Sequence, residues 1–351
     1  YKSVKIKNRY KIVVIAVNGG ELTYAQYLKY SAERLGWEVK IFNGETLGHE
    51  DEILEFDPDF MIFACYASSF LDSRINAHRS KKYSLNFVPL EQLKKTGYIS
   101  SKDPYKGKKY IKSMNNMSHG VMTVAKEVNF YRRMFEKLKK PFVGLRLFPL
   151  VPRMDNEPAD PKSLMWMAGG WDKFRSSERY REFITMLSKN VPFRVYGHYN
   201  GVSYLNPETY GGYIKPGIQN IEAIRKNGIY LLSHSNFHFE ANVPSMKPFE
   251  AAAANAVVIS DKLPFVMDAF GDSFLYFDQN ADSKTMYKQV KGHMDWIKAN
   301  PKEAKAMAAK AHQIFLDKFT LEKDLVRMAK MHEYAISQDK KIWKLEYSIG
   351  Y

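Results

Sequence analysis

Three stretches in the second half of the sequence bring together residues suited to gripping a phosphorylated ligand. In residues 169–179, G-G-W-D-K-F-R-S-S-E-R, Gly169 and Gly170 allow the backbone to approach a ligand closely. Arg175 and Arg179 follow at a spacing that predicts one shared helical face, and each guanidinium offers a planar fork for phosphate oxygens. In residues 244–261, P-S-M-K-P-F-E-A-A-A-A-N-A-V-V-I-S-D, Pro248 suits the first position of a helix whose free N–H groups can face an anion. Lys247 adds a full charge there. Glu250, in the same first turn, is a carboxylate able to accept from the two hydroxyls of a ribose; plain complementarity with the helix dipole is the alternative. The third stretch, Tyr213-Ile214-Lys215-Pro216 after Gly211-Gly212, reads equally as a turn or as a loop contacting a nucleobase.

Other candidates are weaker. His234 and His238 are four apart in a loop with no third ligand in view, so no metal site is expected. The lone cysteine, Cys65, lies within an apolar run and reads as a core residue, in keeping with a reducing, cytoplasmic compartment.

These stretches need a scaffold, and the sequence supplies two in series. Residues 11–17 form an apolar run, Asn18-Gly19-Gly20 a turn, residues 23–35 a helix, and residues 38–42 and 59–66 two further strands. Residues 68–118 are polar, basic and rich in Tyr and Asn, with no clear periodicity; strand, helix and strand resume over 120–148. Pro149, Pro152, Pro158 and Pro161 then mark a linker. A second alternation begins at Ser163 with another strand and Gly-Gly turn, and ends in helices running to residue 337. The expected fold is α/β, with two doubly wound, Rossmann-like domains: 1–150, a linker at 151–162, and 163–330, with 331–351 packing back on the first domain.

The net charge is +15, with no charged tail, and Lys-Lys and Arg-Arg doublets (Lys81-Lys82, Lys94-Lys95, Lys108-Lys109, Arg132-Arg133, Lys139-Lys140) lie mostly in the first half. Each doublet alone reads as a solvated face; together they suit an anionic acceptor or surface. No apolar run approaches the roughly 20 residues of a membrane-spanning helix.

The order of strand, Gly-Gly, basic loop, strand ending in Y-G, Y-I-K-P and then K-P-F-E-A-A-A-A-N-A-V-V-I-S-D resembles the donor domain of GT-B glycosyltransferases. The likeness is to the spore-maturation glycosyltransferase-like group of bacteria and phages, and F-R-S-S-E-R with K-P-F-E is also similar to the donor site of T-even phage DNA β-glucosyltransferase. The resemblance implies that Arg175, Arg179 and Lys247 hold a diphosphate and Glu250 a ribose. Lys247 stands where the family has arginine. Asn242, eight positions before Glu250, stands where retaining members carry a second glutamate.

The implied protein is a metal-independent hexosyl- or pentosyltransferase with no permanently bound cofactor. Its donor would be a nucleotide-diphosphate sugar, UDP-sugars first and GDP-sugars second, and its acceptor a hydroxyl of an anionic glycan or glycolipid. A DNA-modifying glycosyltransferase and a non-catalytic nucleotide-sugar-binding protein are the alternatives. Cytoplasmic placement with peripheral contact at the inner face of the membrane through the basic first domain is expected. An inverting transfer needs a general base: Asp72 is the first choice, then His78 and His119, with Gly19 and Gly20 beside the donor or acceptor.

Overall fold

Strands made of unbroken apolar runs are what a sheet covered by helices on both faces requires, and K-I-V-V-I-A and F-M-I-F-A are two such runs. The computed structural model describes residues 1, 3–17, 19–44, 46, 48–64, 73–88, 92, 95, 119–124, 128–137, 139, 142–168 and 175–348. The chain divides into two units, Tyr1–Pro152 with Leu321–Tyr351, and Arg153–Thr320.

In the first unit, β1 (Lys11–Ala16), β2 (Glu38–Asn43), β3 (Phe60–Ala64), β4 (Lys81–Asn86), β5 (Gly120–Thr123) and β6 (Gly144–Arg146) form a parallel sheet in the order β2-β1-β3-β4-β5-β6. Val14 lies between Ile41 and Ile62 in register. Helices α2 (Glu50–Phe56) and α3 (Ser73–Ala77) bring Ile53, Phe56 and Ile75 against Val13, Ile15, Met61 and Phe63. Helix α1 (Gly20–Arg34) buries Tyr24, Tyr27 and Leu28, and α4 (Val128–Lys137) precedes β6.

The last helix, α12 (Leu321–Ser348), returns to this unit. The return comes at Leu321, ahead of the expected boundary at 331, because residues 321–348 are one uninterrupted helix. Its attachment is polar as well as apolar: Tyr10 donates to Glu333 (2.8 Å), Tyr83 pairs with His332 Nδ1 (3.0 Å), and Arg327 donates to the Arg146 carbonyl (2.7 Å). Burial pushes His332 down to about 4 and Asp324 up to about 6.

The second unit holds β7 (Ser163–Met167), β8 (Phe193–Tyr196), β9 (Tyr210–Gly212), β10 (Gly228–Leu232), β11 (Val257–Ser260) and β12 (Leu275–Tyr276), again all parallel, in the order β12-β11-β10-β7-β8-β9. Helix α5 (Glu178–Asn190) places Tyr180, Phe183, Ile184 and Leu187 in one core with Trp166, Val195, Leu231 and Ile259. Helices α6 (Gln219–Asn227), α7 (Asn236–Ala241), α8 (Lys247–Ala253), α9 (Pro264–Phe270), α10 (Ser283–Ala299) and α11 (Pro301–Lys318) complete it. The proline-rich stretch is laid along this unit rather than free. Asn156 donates to the Ala253 carbonyl (3.0 Å), Asn255 donates to the Asn156 carbonyl (2.8 Å), and the Ala159 N–H donates to the Asn255 carbonyl (2.8 Å). Among the described residues no helix is long and apolar enough to cross a membrane.

His332 gives a test of how α12 is held. Its folded pKa of about 4 lies below the ordinary histidine value of 6.5, so its neutral burial favours the fold above 6.5. That contribution, at most about 3 kcal/mol, is lost as pH falls from 6.5 through 4. Asp324 acts oppositely, its contribution being lost as pH rises from 3.8 through about 6. Urea unfolding of the wild type and His332→Gln between pH 4 and 7 isolates the first effect: the variant should lose less stability on acidification. Equal slopes would rule this role out.

Candidate functional site

A parallel sheet delivers every strand's carboxyl end to one edge, and a crevice opens where the strand order reverses, since neighbouring loops there leave toward opposite faces. In the second unit that reversal lies between β7 and β10, and in the first between β1 and β3.

The second-unit reversal gathers three of the expected residues. Arg175 follows β7, while Lys247 and Glu250 lie in the first turn of α8, at the end of the loop leaving β10. Arg175 and Glu250 are only 7% and 6% exposed, and Lys247 Nζ is 3.4 Å from the Met167 carbonyl at the end of β7. Their proximity shows in shared neighbours. Burial raises the Tyr230 hydroxyl well above its ordinary range, Glu250 adding to the rise and Arg175 opposing it. His238 is held well below the usual histidine range by burial first, then by His234, with Arg175 and Lys247 acting in the same sense. Arg175 and Glu250 thus both act on Tyr230, and Arg175 and Lys247 both act on His238, from the two loops that part at the reversal.

Arg179 does otherwise. Helix α5 begins at Glu178, so Arg175 sits in the preceding turn and the two arginines do not share a helical face as the spacing predicted. The Arg179 guanidinium donates to the carbonyls of Gln279 (3.0 Å) and Ala281, fastening the loop after β12. Tyr213 and Lys215 follow β9 and are exposed, Tyr213 at 57%, its ring tilted against His198 with centroids 5.1 Å apart. Beside them Gly197 has φ +130°, and a Cβ there would come within 2.8 Å of the Ala168 carbonyl, so the Y-G turn can press against the end of β7 only as glycine. Gly169 and Gly170 lie outside the described residues.

In the first unit Gly19, at φ +93°, caps α1, and Gly20 is the first residue of that helix, both at the carboxyl end of β1. Asp72 lies outside the described residues. His78 and His119 sit at the opposite edge, just ahead of the amino ends of β4 and β5. His78 Nδ1 meets Ser80 Oγ (2.8 Å) and Nε2 meets Asp57 (3.0 Å), while His119 Nδ1 accepts from the Lys82 N–H (3.0 Å). Neither histidine joins the reversal, because each is used to tie the start of a strand. Lys82, expected on a solvated face, is 1% exposed and donates to the carbonyls of His78 (3.0 Å) and Ser80 (2.9 Å), with its pKa lowered by burial to about 8.

Sequence reasoning passed over two groups. Asp261, at the end of β11, accepts the backbone N–H of His234 (2.5 Å) on one oxygen and its Nδ1–H (2.9 Å) on the other, joining the ends of β10 and β11 in a buried bracket. The S-D ending of that strand was its only local signal. Glu21, directly after Gly19-Gly20, is held above the usual carboxylate range by burial; one acidic residue opening a helix is ordinarily dipole complementarity. No group of three or more His, Cys, Asp or Glu side chains able to hold a metal is found among the described residues.

Residues 175–330 match a family model described as glycosyl transferase-like. The chain has the GT-B glycosyltransferase fold. Similar solved structures include sucrose-phosphate synthase from Thermosynechococcus elongatus, with TM-score 0.57 and 11% identity over 93% of this chain and 99% of that one. T4 phage BGT in complex with its UDP-glucose substrate gives TM-score 0.54 and 13% identity over 93% and 99%. Anabaena HepE in complex with UDP-glucose gives 0.53 and 9% over 94% and 100%. At these identities the likeness is one of fold. No curated protein matches the sequence.

The bracket can be tested alone. Asp261→Ala leaves two buried donors of His234 unpaired, a loss of about 3 kcal/mol by the usual cost of breaking a buried pair. The expected result is a lower urea midpoint at unchanged m-value; an unchanged midpoint would show that the pair bears no load.

Proposed function

We propose that this protein is a glycosyltransferase that moves a sugar from a nucleotide-diphosphate sugar to an acceptor hydroxyl. The observation that carries the reading is the placing of Arg175, Lys247 and Glu250 on the two loops that part at the strand-order reversal of the second unit. The two cations face the diphosphate and stabilise the charge that builds on it as the glycosidic bond breaks, without requiring a metal. Glu250 accepts from the ribose hydroxyls, and the Tyr213 loop contacts the base. A UDP-sugar is the favoured donor.

Glu21 serves as the general base in this reading, ahead of Asp72. It opens α1 at the reversal of the first sheet, and its raised pKa makes it a stronger base than an ordinary glutamate. The favoured acceptor is a glycan or glycolipid hydroxyl, with the protein on the cytoplasmic side of a membrane. A hydroxylated base in duplex DNA is the second reading, supported by the net charge of +15 and the exposed Arg132 and Arg133 of α4. Steeply salt-dependent retention on duplex DNA would favour it, and no retention at low salt would remove it.

A thermal-shift screen against UDP-, GDP-, CDP- and ADP-sugars tests the donor. One nucleotide class should raise the melting temperature, and Glu250→Ala should abolish that shift; no stabilisation by any would refute the reading. Slow hydrolysis of the same donor, absent in Glu250→Ala, separates an enzyme from a binding module. For the base, Glu21→Gln should lower kcat by at least about a hundredfold with donor affinity unchanged. Because the base must be deprotonated, wild-type kcat/KM should rise with pH through a pKa above the ordinary glutamate value of 4.5. A wild-type acid limb at or below 4.5, or full activity in the variant, would discard Glu21.

A further inference from the structure

The loop from β10 to α8 holds two histidines in contrasting settings. His234 is fully buried, with its backbone N–H and Nδ1–H both given to Asp261 and its Nε2 buried without a partner. Its ring stands edge-on to that of His238, centroids 5.3 Å apart at 71°. His238 is braced further by Phe237, 4.1 Å away at 30°, and its Nδ1 lies 2.9 Å from the Val243 carbonyl. A carbonyl only accepts, so the proton sits on Nδ1 and the neutral ring presents Nε2 as an acceptor. Among the described residues that nitrogen has no hydrogen-bond partner, and the side chain is only half-buried.

An acceptor in the same β10-to-α8 segment as Lys247, and within electrostatic reach of it and of Arg175, is an odd companion for a phosphate, whose oxygens are acceptors too. What it can take is a hydroxyl. Asn242, the residue at the position where retaining relatives would carry a glutamate, is unavailable for this. It adopts a left-handed conformation (φ 48°) at the end of α7, and its Oδ1 accepts the Phe265 N–H at 2.7 Å.

We propose that His238 recognises the transferred sugar, its Nε2 accepting a hydrogen bond from a sugar hydroxyl of the donor while His234 and Asp261 position its ring. This rests on the nucleotide-sugar reading of the same site. His238 is a specificity residue, and it makes the sugar, rather than the nucleotide, the part of the donor that is sensed by the β10 loop.

Calorimetric titration with UDP and UDP-glucose, or with the tightest-binding sugar nucleotide of the screen and its free nucleoside diphosphate, separates the two halves of the ligand. His238→Phe should raise the Kd of UDP-glucose by about three- to tenfold, the worth of one neutral hydrogen bond, while the Kd of UDP stays within about twofold. His238→Gln, which keeps an acceptor, should recover most of the loss. Donors lacking one sugar hydroxyl at a time supply a check that needs no variant: one deletion should cost the wild type the same factor, and cost His238→Phe nothing further. Equal weakening of UDP and UDP-glucose by His238→Phe, no weakening of either, or indifference of the wild type to every hydroxyl deletion would overturn the proposal. Failure of the wild type to bind any nucleotide would instead bring down the nucleotide-sugar reading, and this one with it.

Discussion

The candidate site of this chain depends on strands that all run the same way. Parallel pairing sends each connection across a face of the sheet, so the loops at the carboxyl edge are the ones free of the return path. Reversal of strand order then decides which of those loops part company. In the second unit the loops after β7 and β10 do so, and Arg175, Lys247, Glu250 and both histidines of the β10 loop are found there. The bracket between Asp261 and His234 ties together the adjacent ends of β10 and β11, from the first of which that loop springs.

The second unit was legible where its signals were local. Pro248, Lys247 and Glu250 sit within one turn, and a short motif conveys a turn well. Interactions that cross a strand–helix–strand step were not legible: Asp261 and His234 are separated by α7, α8 and β11, and nothing nearby announces that one will clasp the other. The arginine pair failed for a different reason. Spacing predicts a shared face only inside a helix, and the helix starts after the first of them, at Glu178.

In the first unit, composition misled. K-K-Y-S-L-N reads as polar surface, yet it is β4, one of the two central strands, with Lys82 kept inside by two carbonyls that accept its hydrogen bonds and Lys81 paired to Asp339. A lysine count measures charge and says nothing of where the ammonium groups end. The same blindness turned attention toward histidines that prove to tie strand starts, and away from Glu21, whose burial no single-residue pattern encodes.

The path of the chain has a consequence for its biosynthesis. Residues 153–320 form a unit nested within the other, and the two crossing points meet where the Leu321 N–H donates to the Val151 carbonyl at 2.9 Å. Glu333 and His332, which meet the hydroxyls of Tyr10 and Tyr83, belong to α12, which is translated after the inner unit. On the ribosome, where domains ordinarily fold in the order they emerge, the inner unit has all of its residues while the outer one still lacks the helix that caps it. The sheet of the outer unit, made before the inner unit, therefore waits with part of its core uncovered until α12 arrives.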